Sequence, residues 1–125
     1  MTDLKQTTDV KNSLAPAART ATANGTGVDL ANFASAEVAF VVGTITDGTH
    51  TPSVQESDDD STYTAVAAAD LIGTLAALAS NTNQRVGYRG TKRYVRAVST
   101  VSGATTGGVY AGVVVRGNAR KQPVA

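Results

Sequence analysis

The sequence predicts an all-β fold: a small antiparallel β-sandwich, jelly-roll-like, or a barrel, with an extended N-terminal arm and one short helical turn. Three observations lead there. Threonine, valine, alanine and glycine dominate, while bulky aliphatic residues are scarce, a composition suited to short strands and turns. Strand-like runs recur between turn signals such as Asn24-Gly25, Asp47-Gly48 and Gly90-Thr91, the spacing of a sandwich or barrel. A length of 125 residues without cysteine allows one modest core and no disulfide framework. A core of small side chains is thin, so added burial in a trimer or dimer would stabilise it.

Residues 1–17 are polar and aperiodic. Pro16 has no N–H to give to a ladder, so this segment is expected to be an extended arm, able to add a strand to a neighbour's sheet edge. The sandwich would then occupy residues 18–117, and 118–125 would be a basic tail. Residues 18–30 alternate weakly around the hairpin dipeptide Asn24-Gly25. Residues 36–46, "AEVAFVVGTIT", make the clearest strand. Val38, Phe40 and Val42 share one face, while Ala39, Val41 and Ile45 share the other, so the strand is expected to be central and covered on both sides.

Within residues 67–80, Leu71, Leu75 and Leu78 have helical spacing, but Gly73 limits the helix to a short turn. Residues 84–88, 92–101 and 109–117 read as closing strands. If Gly90 and Thr91 form a two-residue hairpin loop, Arg85, Arg89, Lys92 and Arg96 share one face around Tyr94, with Arg93 beside Tyr88 on the other. Such a face needs counter-charge, because like charges lie opposite one another.

The net charge of +1 conceals a division along the chain. Residues 1–70 hold all ten acidic residues and three of the Lys and Arg; residues 71–125 hold the other eight Lys and Arg and no acid. Two readings stay open: acidic and basic strands neighbour each other in one sandwich, or one copy's acidic surface meets another's basic surface.

Several chemistries find no support. The opening "MTDLKQTTDVKNS" is polar and no apolar run approaches about 20 residues, so neither a secretory signal nor a membrane span is expected. Synthesis in a cytoplasm follows. The acidic stretch "ESDDDSTYTAV" (56–66) lacks the alternating ligands, the glycine and the late glutamate of a calcium loop. Consecutive Asp58, Asp59 and Asp60 in extended chain point to opposite faces. A hairpin tip from Ser57 to Thr62 suits them better, since aspartate bonds to backbone two residues on.

His50 is the only histidine and is expected on a loop surface, without the partners a catalytic base requires. "GYRGTK" (87–92) fails the spacing of a phosphate loop. No catalytic residue, cofactor or metal is therefore expected, and the chain does not read as an enzyme. Nucleic acid is disfavoured as a partner, since the pI is near 8.1 and no RNA-binding signature is present. A carbohydrate-binding sandwich is an alternative, but it would want aromatic platforms and the chain has no tryptophan.

The run "VGYRGTKRYVRAV", with "VDLANFASAEVAFVVGTITDGTHTPSVQESDDDSTYTAV" before it and "GGVYAGVVVRGNARKQP" after it, resembles a family of small structural proteins of tailed phages and prophages encoded near the major capsid protein. Order and spacing carry the resemblance, over residues 24–122. It implies a β-rich virion component, a head decoration (cement) protein on the capsid exterior, with the major capsid protein as partner. A tail or head–tail joining protein is the alternative. The expected contacts are the arm (Thr2, Leu4, Lys5, Val10, Lys11 and Leu14) and the basic segment (Arg85, Arg89, Lys92, Arg93 and Arg96), with Asp58, Asp59 and Asp60 as an acidic counterpart.

Overall fold

A computed structural model describes residues 3–120. Among them, ten strands form two antiparallel sheets packed as a sandwich. The first sheet runs, edge to edge, through β1 (Asp9–Arg19), β10 (Gly108–Ala119), β4 (Phe33–Ile45), β8 (Asn83–Tyr88) and β7 (Leu71–Ile72). The second runs through β2 (Ala23–Asn24), β9 (Tyr94–Ser102), β5 (Thr49–Ser57) and β6 (Thr64–Ala65), and β3 (Val28–Asp29) also pairs with β9.

Period-two alternation builds the interior. Val38, Phe40 and Val42 of β4, Tyr110 and Val114 of β10, and Val86 of β8 face inward from the first sheet; Val54, Val95 and Ala97 come from the second. Each valine or phenylalanine among them contributes about 1.5–3 kcal/mol when taken out of water. Gly112 sets the closest approach between the sheets. A Cβ there would stand 2.7 Å from Ala97 Cβ and 3.3 Å from the Phe40 ring.

The arm proves to be an edge strand. Residues 9–19 pair with β10 from Asp9↔Arg116 to Arg19↔Gly108, with register breaks on either side of Leu14. Pro16 falls in the second break, on the sheet's border, where a missing N–H costs least. Ser13 straps the strand to the other sheet: its hydroxyl donates to the Thr26 carbonyl (2.7 Å) and accepts from the Ala97 N–H (2.8 Å). Leu14, expected as a partner contact, is core. The boundaries read at 17/18 and 117/118 therefore fall inside β1 and β10. Thr2 and residues 121–125 of the basic tail lie outside the described residues.

Other turn signals mark crossings rather than hairpins. The backbone around Asn24-Gly25 lies along β9, with the Gly25 N–H donating to the Ala97 carbonyl (2.8 Å). Asp47-Gly48 carries the chain from the first sheet to the second, and residues 89–93 do the same between β8 and β9. The hairpin expected across Gly90-Thr91 therefore does not form. Val86 and Val95 instead approach the core from opposite sheets.

Two expectations hold in outline. The helical turn is a single 3-10 turn at Ala68–Asp70. The chain turns extended at Leu71 and pairs with β8 before Gly73, at φ +104°, is reached, and the rest of the segment drops Leu75 and Leu78 against the core. β4 is central, between β10 and β8. Only one of its faces is covered, however, because Val41 remains half exposed.

Candidate functional site

The uncovered face of the first sheet is the most distinctive surface. By register, Val10, Val115, Glu37, Gly87 and Ile72 form one row across it; Asn12, Val113, Ala39 and Arg85 form the next; Ala111, Val41 and Asn83 form a third. Val109 lies beside Ala18 at one end. Among the described residues the exposed large hydrophobic side chains are Leu4, Val10, Val41, Ile72 and Val109, at 71, 60, 50, 60 and 47% exposure. Four of these five stand on this one face.

Strands about 4.8 Å apart and about 3.3 Å per residue give the face an area on the order of 400 Å². Part of that area is polar (Asn12, Asn83, Glu37 and Arg85), but four large exposed hydrophobic side chains gathered on one face are the kind of clustering that marks interaction sites. Its only charged couple is Arg85–Glu37, at 3.3 Å, with the Arg85 side chain largely in water. A pair so exposed contributes about 1 kcal/mol or less.

The basic residues do not share a face. Arg85 lies on the outside of the first sheet. Arg96 lies on the second, where Nε and Nη2 donate to Gln55 Oε1 (2.8 and 2.5 Å) and the guanidinium sits 4.0 Å over the Tyr63 ring. Arg89, Lys92 and Arg93 line the crossing. Arg93 donates two hydrogen bonds to Asp29 (2.9 and 2.8 Å), and this holds the Asp29 carboxyl down from 3.8 to about 2. Lys92 Nζ pairs with Asp58 at 2.8 Å, which raises the ammonium pKa. Lys5, in the turn before the first strand, and Lys11, within it, are exposed, and Val10 belongs to the apolar face.

The acidic stretch is a hairpin tip between β5 and β6, paired Gln55↔Ala65 and Glu56↔Thr64. Its three carboxylates go separate ways. Asp58 meets Lys92. Asp59 Oδ1 accepts the N–H groups of Ser61 and Thr62 (both 3.0 Å), which depress its pKa. Asp60, at φ +60°, accepts the Tyr63 hydroxyl. Ser57 closes the turn by accepting the Asp59 and Asp60 N–H groups (3.2 and 3.0 Å). Among the described residues no three His, Cys, Asp or Glu side chains are gathered to hold a metal ion.

His50 is not on a loop surface. It lies in β5 at 0% exposure. Nε2 is 3.0 Å from the Asp47 carbonyl, so that nitrogen carries a proton and donates it. In a neutral ring Nδ1 then accepts from the Tyr110 hydroxyl at 2.9 Å, and Tyr110 is also 2.9 Å from Ser99 Oγ. This buried chain satisfies its own polar atoms and ties β5, β9 and β10 together. Alternation could have located it, since His50, Pro52 and Val54 share one phase. Asp47 anchors the neighbouring turn, accepting from the N–H groups of Thr105, Thr106 and Gly107.

Rings that might receive a sugar are engaged elsewhere. Arginines cover Tyr63, Tyr94 and Phe33 at 4.0, 5.3 and 4.4 Å from the ring centres, while Phe40, Tyr88 and Tyr110 are core.

No protein-family model matches the sequence, and no curated protein matches it significantly. Solved structures do. The crystal structure of PBSX exported protein XepA matches with a TM-score of 0.60 and 19% identity, over 100% of this chain and 41% of that one. The crystal structure of SPBc2 prophage-derived protein YomS matches with a TM-score of 0.53 and 18% identity, over 87% of this chain and 94% of that one. The chain thus spans about two fifths of XepA and nearly all of YomS. At these identities the likeness establishes a shared fold: an all-β sandwich also found in a prophage-derived protein.

Proposed function

We propose that this protein is a non-enzymatic structural component of a tailed-phage particle, decorating the outside of the capsid and stabilising the shell of major capsid protein. The observation that carries the reading is the uncovered apolar face of the first sheet. A decoration protein needs a flat, rigid surface that docks repeatedly on a lattice, and five hydrogen-bonded strands supply one. About 400 Å² per copy is half of one side of a standard stable interface, so attachment gains from several copies acting together, as in a trimer or dimer on the shell. The prophage origin of YomS supports a phage setting by fold analogy, and the resemblance of residues 24–122 supports the capsid.

The test mixes purified protein with empty expanded capsids assembled from the major capsid protein of the same phage, then sediments and images them. Saturable occupancy in hundreds of copies supports decoration. Absence of binding at low and moderate salt refutes it, and a low copy number on intact particles reassigns the protein to the tail or the head–tail joint.

A second reading has its own observation. XepA, which matches this chain end to end, is described as exported, so the protein could instead act outside the particle. Particles banded in a density gradient separate the two: a decoration protein bands with them and a released protein stays in the supernatant.

A further inference from the structure

We propose that a pocket where residues 89–93 cross between the sheets binds an acidic peptide segment of a partner protein, held by Arg89 and Arg120. The pocket measures about 760 Å³ and lies against the start of β4 and the residue that follows β10. That volume is within the range of sites that enclose a ligand. Leu30, Phe33, Ala36 and Ile72 supply apolar lining, Arg89, Lys92, Arg93 and Arg120 supply charge, and no carboxylate is among the described residues that line it.

The four cations differ in one respect. Lys92 and Arg93 are neutralised by Asp58 and Asp29. The side chains of Arg89 and Arg120 have no hydrogen bond or ion pair among the described residues. Their backbones are fixed nonetheless: the Arg89 N–H donates to the Asp70 carbonyl (2.9 Å) and the Arg120 N–H to the Asn32 carbonyl (2.8 Å). Two guanidinium groups on anchored stems thus flank a partly apolar concavity with no counter-charge among its described lining residues.

This combination selects the ligand. A guanidinium pairs with a carboxylate through two parallel N–H donors. An inorganic anion would meet the cations but leave the apolar lining in water, and an apolar peptide would leave the arginines unanswered. A segment alternating carboxylates with aliphatic side chains satisfies both. Nucleic acid would want open rings for stacking, whereas Arg116 covers Phe33 and the Tyr88 hydroxyl is committed to Glu56 and the Lys92 N–H. The proposal is independent of shell docking; Ile72 borders both surfaces, so the test leaves it unchanged.

The probe is a capped, fluorescently labelled hexapeptide alternating glutamate with leucine, and the control replaces glutamate with glutamine. Anisotropy at low salt should show saturable binding of the acidic peptide, with the control at least about tenfold weaker. Arg89→Gln with Arg120→Gln should weaken binding about tenfold or more with the melting temperature unchanged. Thr91→Glu, which adds a carboxylate to the rim and removes no cation, should weaken it as well. Lys11→Gln, an exposed lysine on β1, should leave it unaltered. Equal binding of both peptides, undiminished binding by the double variant, or no binding by the wild type overturns the proposal. Displacement of the peptide by equimolar inorganic phosphate would make this a small-anion site and also overturn it.

Discussion

Val41→Lys separates the apolar face from the fold more cleanly than any other change. Val41 sits in the middle of the first sheet, opposite Ala111 on one side and Asn83 on the other, and half of it remains in water. No core contact is lost, so the stability change should stay within about 0.5 kcal/mol, as for ordinary surface substitutions. Docking is different. Fully burying a valine contributes about 1.5–3 kcal/mol, and half of that is still to be gained, so each half-exposed valine adds about 1 kcal/mol on the shell. Val41→Thr, which keeps the shape and β-branching, should weaken shell binding by about fivefold.

A lysine must carry its ammonium into the same contact. Lys can snorkel toward an edge, but Val41 is flanked by two strands on each side, so the charge meets a desolvation cost of about 2 kcal/mol or more and affinity drops at least about thirtyfold. Capsid sedimentation reads the affinity, and thermal melting followed by circular dichroism reads the fold. If Val41→Lys melts normally and occupies capsids at wild-type concentrations, the face is not the docking surface.

Four further outcomes follow from the same geometry. His50→Ala should lower stability by about 3–5 kcal/mol in urea unfolding, and His50→Phe, which keeps volume but strands the Asp47 carbonyl, by about 1–3 kcal/mol. Leu14→Ala should cost about 2–5 kcal/mol, and deleting residues 2–17 should unfold the protein rather than merely weaken its binding; a normally folded deletion would refute the role of β1. Asp29 is depressed from 3.8 to about 2, so its contribution is intact above pH 4 and lost as pH falls toward 2; Asp29→Asn should remove about 1 kcal/mol of that acid sensitivity, after allowance for the pair's exposure. Replacing Asp58, Asp59 and Asp60 by Asn should preserve circular dichroism and cooperative melting while changing the salt dependence of shell binding; an unchanged salt profile removes the tip from that role.

Strands were legible because burial repeats every second residue. Val38, Phe40 and Val42 in Phe33–Ile45 show this directly. Topology was not legible, for a specific reason. A hairpin across Gly90-Thr91 and a crossing between sheets both leave Val86 and Val95 buried, and both require a turn between them. Only the partners differ: β8 joins β4, and β9 joins β5, and nothing local to residues 84–101 encodes that choice. β1 was missed because Pro16 and polar neighbours hide a single inward pair, Ser13 and Leu14. The apolar outer face of β4 was visible as Ala39 and Val41, but the pattern of one strand does not distinguish a covered face from an open one. That distinction is what makes the face a candidate site.

The division of charge along the chain finds its use in the same topology. Each of the four ion pairs among the described residues, Arg85–Glu37, Lys92–Asp58, Arg93–Asp29 and Arg116–Asp9, joins an acid from the first half to a base from the second. Strands from the two halves lie side by side, β10 between β1 and β4, and β9 between β2 and β5, so a sequence segregated by sign becomes a surface of neighbouring opposites. The pairs are mostly exposed and contribute little energy one by one. Their larger effect is on pairing: two acidic strands set together would repel where an acidic and a basic strand do not. The first exception in the basic half is Arg89, and the last described one is Arg120. Both lie at the pocket between the sheets, so positive charge is left without an acidic partner among the described residues at a concavity large enough for a ligand.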